Sequence, residues 1–281
     1  ALIVHHGKLV RGEITEGAAC VAKVDLPHRE ALARAHSATH MLHHALHRNV
    51  GRHAEQQGSK VEADRLRFDF TNPKAIPDDT LVQIEKDVLA LIEDEQPIRW
   101  DTVPLSDARD AGAMMLFGEK YPDPCRMVSM GEFSRELCGG THLTNTSQVK
   151  AFEVVVEESV STGTRRIEAL TGSRAEEHRV HTRQLLDGVA ETLKCGAAHA
   201  VAATVQLMND VRRLKKDLAA GKAGEHPETY HFSGEGPQAD VDDYNSVRSA
   251  VREITRRLNV AISDVNERLD ALLGDRGRLV K

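Results

Sequence analysis

Cysteine is scarce in this chain: Cys20, Cys125, Cys138 and Cys195 are scattered over 281 residues. That spacing argues against a disulfide framework and leaves metal binding or plain burial as uses for the thiols. No apolar run approaches the length of a membrane span, and the amino terminus lacks a basic segment followed by a signal-type hydrophobic stretch. The expectation is a soluble, cytoplasmic protein with no membrane partner. A Gly-rich phosphate loop is also missing, which excludes the P-loop enzymes. Net positive charge is lacking too. At −6 overall, the protein does not hold nucleic acid on a broad basic surface. The acidity sits in residues 1–170, while residues 171–281 are balanced, so any RNA contact must be local. Basic clusters occur at Arg165-Arg166 and from Arg212 to Lys216, and such clusters are more often solvated faces than binding sites.

With 40% hydrophobic residues, the chain is long enough for one substantial core and a second, smaller unit. Residues 1–25 alternate apolar and polar around Gly7, Gly12 and Gly17, which predicts short strands joined by tight turns. No initiator methionine is present, and the segment is expected to belong to a longer chain. Pro27 precedes a predicted helix from Arg29 to about Val50, with Leu32, Ala35, Thr39, Leu42 and Leu46 at helical spacing. Leu66 to Phe70 reads as a strand ended by Thr71-Asn72-Pro73, with Phe68 facing the core. A second amphipathic helix begins at Asp78 or Asp79 as N-cap and ends before Pro97. Further strands are predicted at 98–103, 126–129, 152–156 and 165–170, interrupted by Gly118, Gly131 and the Gly139-Gly140 pair. Helices and strands mixed in this order indicate an α+β fold.

After Gly172 helix dominates, with Val201, Val205, Met208, Val211, Leu214 and Leu218 at three- and four-residue steps. Residues 221–243 are rich in Gly, Pro, Asp and Glu and read as an exposed linker. Helix resumes near Tyr244. The two helical stretches look like distant copies 65 positions apart, with Leu193, Leu207, Asp210, Arg213 and Leu214 answering to Leu258, Leu272, Asp275, Arg278 and Leu279. Helices with similar heptads can mimic such a duplication.

Two short motifs carry chemistry. In His36-Ser-Ala-Thr-His40, two imidazoles stand one helical turn apart and can reach a single ion. His43, His44 and His47 repeat that spacing on the same helix, so taken alone it is equally a surface histidine run. In Cys138-Gly-Gly-Thr-His142, a thiolate and an imidazole flank two glycines that allow a tight turn. Together these are four nitrogen and sulfur ligands of the kind tetrahedral zinc accepts. The alternative is a buried Cys138 and a locally satisfied His142.

These residues resemble the editing domain shared by alanyl-tRNA synthetases, their free-standing deacylase relatives and, more distantly, threonyl-tRNA synthetases. The words Gly58-Ser59, Leu66-Arg-Phe-Asp-Phe70, Leu116-Phe-Gly-Glu-Lys-Tyr121, Glu136-Leu-Cys-Gly-Gly-Thr-His142 and Gly163-Thr-Arg-Arg-Ile-Glu-Ala169 narrow it to the alanyl type. The resemblance covers most of residues 1–218 and, more weakly, 244–281. It implies a β-barrel remnant at 1–27, a zinc-dependent editing domain at 28–173, a helical arm at 174–220, a linker at 221–243 and a second helical segment at 244–281. It implies zinc held by His36, His40, Cys138 and His142, and hydrolysis of the ester in tRNA for alanine that carries serine or glycine. The partner is the acceptor end of that tRNA, and the helical arm offers a route to self-association.

The resemblance gives Thr39 a role in recognising the wrong amino acid, because a site that bonds a serine hydroxyl rejects alanine. Back-bonding of Thr39 to its own helix is the competing reading. Gln56 matches a pocket glutamine, with Gln57 beside it as a rival. Gly139, Gly140 and Thr141 are expected to offer backbone donors near the ester, and Arg165 and Arg166 to meet phosphate or to pair with carboxylates in a strand. Zinc can activate a water or only position the sugar. Stretches resembling the aminoacylation domain and the glycine-rich carboxyl-terminal domain are not found in the sequence. A compact free-standing deacylase and a non-catalytic zinc or RNA-binding module with a coiled arm are the alternatives; the helical extension argues against the first.

Overall fold

The computed structural model describes residues 4–116, 120–221 and 227–280. The motif at Leu116 to Tyr121 and the turn expected at Gly118 fall partly outside the described residues. The first regular element is helix α1 (Leu26–Asn49). It begins three residues earlier than expected because Asp25 accepts a hydrogen bond from His28 N (3.1 Å) and Pro27 takes up the first turn, where its missing N–H is harmless. Nearly every residue of α1 from Ser37 to His43 is buried, so the helix is enclosed around most of its circumference. That enclosure fixes the side chains of its first motif.

Two antiparallel sheets surround it. The four-stranded sheet has the order β1 (Gln56–Glu62), β2 (Arg65–Thr71), β7 (Thr164–Thr171), β6 (Phe152–Ser161). Its core face carries Phe68, Phe70, Phe152 and Ile167, all fully buried against α1 and α2 (Asp78–Glu93). The three-stranded sheet has the order β3 (Ile98–Val103), β4 (Cys125–Met130), β5 (Ser134–Leu137), with the short helix α3 (Leu105–Asp110) after β3. Ile98, Val128 and Met130 join the same core. The α+β architecture expected from the sequence is therefore present.

The strands expected in residues 1–25 are not. Residues 4–25 contain no strand, and their apolar side chains stay out of any core, with Val10 93% exposed. An alternating segment becomes a strand only where a neighbour completes its ladder and its apolar face is covered, and neither condition is met here. The expected barrel remnant thus has no barrel pairing among the described residues.

β7 runs directly into α4 (Gly172–Leu193) through Gly172, whose φ of +52° turns the chain. With α5 (Ala200–Ala219), α6 (Tyr244–Leu258) and α7 (Val265–Val280) it builds a second core from Leu186, Leu193, Leu207, Val247, Ile254 and Leu269. The two helical stretches pair with each other within the chain. Their backbones share one local pattern: the caps that follow α4 and α6, Lys194 and Asn259, are both left-handed (φ 53° and 54°), and each is followed by a 3-10 turn, Ala197–His199 and Ile262–Asp264. Each feature recurs at the 65-residue offset.

Residues 227–243 contain no helix or strand and are mostly exposed, but they are fastened to the bundle. Tyr230 Oη donates to Ala203 O (2.7 Å) and Ala239 N to Ala198 O (2.8 Å). No helix among the described residues is long and apolar enough to cross a membrane.

Candidate metal centre and its cavity

The two motifs converge. Cys138 Sγ lies 3.5 Å from His36 Nε2 and 3.4 Å from His142 Nε2. The His40 ring centroid is 5.5 Å from that of His36 and 4.6 Å from that of His142. One donor atom from each of the four residues falls within 4.8 Å of every other. Tetrahedral zinc, with bonds of about 2.0–2.1 Å to nitrogen and 2.3 Å to sulfur, separates its sulfur and nitrogen ligands by roughly 3.6 Å. The observed sulfur–nitrogen distances match that edge. These four side chains can therefore hold one metal ion, and their chemistry suits zinc.

The supporting structure explains the convergence. His36 and His40 share a face of the enclosed helix α1. Cys138 follows β5, and its loop is held by Arg126 on β4, whose Nη1 donates to Cys138 O (2.6 Å) and Gly140 O (2.9 Å). Gly140 is required by close approach, because a Cβ there would sit 1.9 Å from His36 Cε1. Ser37, buried on α1, lies 3.2 Å from His142 Nδ1 and accepts from Leu143 N (3.1 Å). Nε2 of His142 is turned toward Cys138; with a metal on Nε2, Nδ1 would carry the proton and donate to the serine oxygen, an outer contact of the kind that orients metal ligands.

The electrostatics keep the imidazoles neutral. Burial, followed by the neighbouring His40, lowers His36 to about 4, and burial with His40 and His36 lowers His142 to about 2. Burial also lowers His40, although Glu136 pulls the other way. Neutral imidazoles are the ligand form. Burial raises the Cys138 thiol, so in the protein alone the site lacks the charge that favours a thiolate; a bound cation would supply it. Glu136 lies 3.4 Å from His40 Nδ1 and 3.7 Å from His43 Nδ1. Burial would raise its carboxyl, but His40 and His43 outweigh that and lower it.

The cluster opens on a cavity of about 940 Å³. Thr39, Gln56 and Gly139 line it, together with His43, His47, Arg52 and Glu136. Thr39 Oγ1 donates to Ala35 O (2.8 Å), the back-bonding expected of a helical threonine, while its position keeps it at the cavity wall. Gln56 faces inward and donates to Ser59 Oγ (3.2 Å); Gln57 is exposed and bonds Thr71 instead. Gly140 packs behind His36, and Thr141 is exposed outside the cavity lining.

Arg165 and Arg166 are not brought to the cavity. Arg165 makes a two-pronged pair with Glu157 (2.6 and 2.5 Å) and Arg166 with Asp69 (2.7 and 2.9 Å). Their donors are already matched to carboxylates across the sheet, so the expected phosphate contact gives way to the structural alternative. Sequence reasoning missed Ser37, Glu136, His43 and Arg126. For Glu136 a signal existed: it stands two residues before Cys138 in the strand that leads into the loop, hence on the same side as the thiol.

Residues 125–168 match the family described as the threonyl and alanyl tRNA synthetase second additional domain. Over the whole chain, similarity extends to alanine–tRNA ligases. The protein of that name from Rhodopirellula baltica is 69% identical across all of this chain and 30% of its own length. The one from Acidithiobacillus ferridurans is 38% identical over 98% of this chain and 31% of its own length. The chain belongs to the alanyl-tRNA synthetase family. The counterpart in Leptothrix cholodnii is 43% identical over 78% of this chain and 25% of its own length. This family member therefore spans less than a third of the curated relatives it matches, and includes their second additional domain.

Proposed function

We propose that this region edits misacylated tRNA, hydrolysing the ester that joins serine or glycine to tRNA for alanine, with zinc held by His36, His40, Cys138 and His142. The observation that carries the reading is a set of four converging metal ligands at the floor of an open cavity, in a chain of the alanyl-tRNA synthetase family. In ester hydrolysis a water adds to the carbonyl carbon and the ribose oxygen leaves with a proton. Bound zinc supplies a positive charge that can polarise the carbonyl, lower the pKa of a water or anchor the terminal ribose. Four protein ligands make a closed set, so zinc would have to expand its coordination or lose a ligand to act on a water directly, and positioning competes with activation.

The protein side chains supply selection. The one proton of the Thr39 hydroxyl is directed at Ala35 O, so toward the cavity its oxygen is an acceptor. A substrate serine can donate to it; alanine cannot, and desolvating the threonine oxygen without a partner disfavours the correct product. Gln56 on β1 also lines the cavity and offers its amide to the same group. The setting is cytoplasmic translation, and the partner is the acceptor end of the tRNA. The direct test is incubation with tRNA for alanine charged with serine or with alanine, before and after chelation. Serine release that vanishes on chelation and returns with zinc is expected, with alanine spared; equal rates for both, or no release, would refute it.

A further inference from the structure

Trp100 is the single tryptophan of the chain, and it lies 46% exposed on β3, the edge of the three-stranded sheet. Large aromatic side chains are normally well covered in a folded protein, and this one is not; Arg99 and Asp101, on the opposite face of the strand, are exposed as well. Its place relative to the metal cluster is set by strand register. Trp100 pairs with Val128, and Val128 pairs with Glu136, so the three stand in one row on the same face. Two strand spacings place the Trp100 backbone roughly 10 Å from that of Glu136. A second link is direct. The Arg126 guanidinium lies 5.3 Å from the Trp100 ring centroid, and the same group holds the carbonyls of Cys138 and Gly140. The indole is thereby tied, through one cation, to the loop that carries a metal ligand.

We propose that Trp100 is a stacking platform for a base in the last two nucleotides of the RNA whose aminoacyl ester enters the cavity. The proposal rests on the editing reading for the identity of the RNA. A single-stranded 3′ end presents flat bases on a polyanionic backbone. An exposed indole with a guanidinium packed on it offers the matching pair of contacts, a π-surface and a positive charge. Because every base has a π-face, the contact tolerates any sequence and contributes affinity rather than selection. An apolar protein partner fits less well, since the charged Arg126 guanidinium already packs on the indole.

The lone tryptophan also reports on itself. In the full chain carrying His36→Ala, which removes turnover, titration with an acceptor-stem RNA ending in an unpaired ACCA should quench the intrinsic fluorescence. The same RNA with its last two bases replaced by abasic sites should not. In the otherwise unaltered protein, Trp100→Ala should raise KM for serine-charged RNA by about tenfold with little change in kcat, and Trp100→Phe should restore most of the loss. Quenching that ignores the bases, or an unchanged KM in Trp100→Ala with retained metal content, would overturn the platform. Base-dependent quenching in the His36→Ala chain together with no serine release by the unaltered protein would keep the platform and remove the hydrolytic reading, so the two fail separately.

Discussion

Cys138 stands among three imidazoles, two at hydrogen-bond range and a third behind them, and the four together could hold a metal ion. Replacing it with alanine is expected to lower bound zinc severalfold and to abolish serine release, measured by metal analysis and deacylation on the same preparation. Undiminished zinc with full activity would refute the ligand assignment. Thr39→Val keeps the shape of the side chain and deletes its oxygen. The ratio of serine to alanine release should fall by roughly tenfold or more; the thermal midpoint should change little, since the hydroxyl bonds only its own helix. An unchanged ratio would leave Thr39 with the structural role alone. Both motifs were readable in the sequence because each is local, but their partners were not. Ser37 reaches His142 across 105 positions and Arg126 reaches the loop from a neighbouring strand, and such pairings come from folding.

At the scale of elements, legibility followed periodicity. α2 and β7 have apolar residues at helical or alternating spacing and were found nearly to their ends. β1 was missed because Gln56 to Glu62 is polar apart from Val61 and mostly uncovered; it is a strand because it pairs with β2. β5 is four residues long with two charges, below what a pattern can show. The opening segment failed in the opposite direction, having alternation without a partner. The helix ends support a quantitative expectation. Lys194 adopts a left-handed conformation that a side chain with a Cβ resists. Lys194→Gly should raise unfolding stability by about 1 kcal/mol, and Asn259→Gly by less, because asparagine tolerates that region. Urea midpoints would show both; a destabilised Lys194→Gly would mean that its side chain makes a contact worth more than the backbone relief.

For the whole molecule, the decisive contacts lie between the two cores. Arg248 on α6 donates to Glu85 on α2 (2.8 Å) and to Val154 O on β6 (3.3 Å), and Tyr244 Oη donates to Glu153 (2.5 Å). Glu153 is fully buried. Burial would raise its carboxyl, but His178 and Tyr244 beside it and the charge of Arg248 outweigh that and hold it below the ordinary range. A carboxyl depressed on folding stabilises above its unfolded value of ~4.3 and loses that contribution as pH falls through the folded value. Stability should therefore decline on acidification below about pH 5. Glu153→Gln should flatten that decline and cost about 3 kcal/mol at neutral pH. Equal acid sensitivity in the two proteins would show that the linkage lies elsewhere.

The 65-residue repeat has a consequence for how the helical half came to be closed. Each helix pair has its oily side sealed by the other, which shares its cap-and-turn pattern, as two halves of a clam seal one another. A hairpin that can seal against its own copy is one that two separate chains could also share. Joining the copies in tandem makes the match independent of concentration, and sequence drift can then fit each copy to the other.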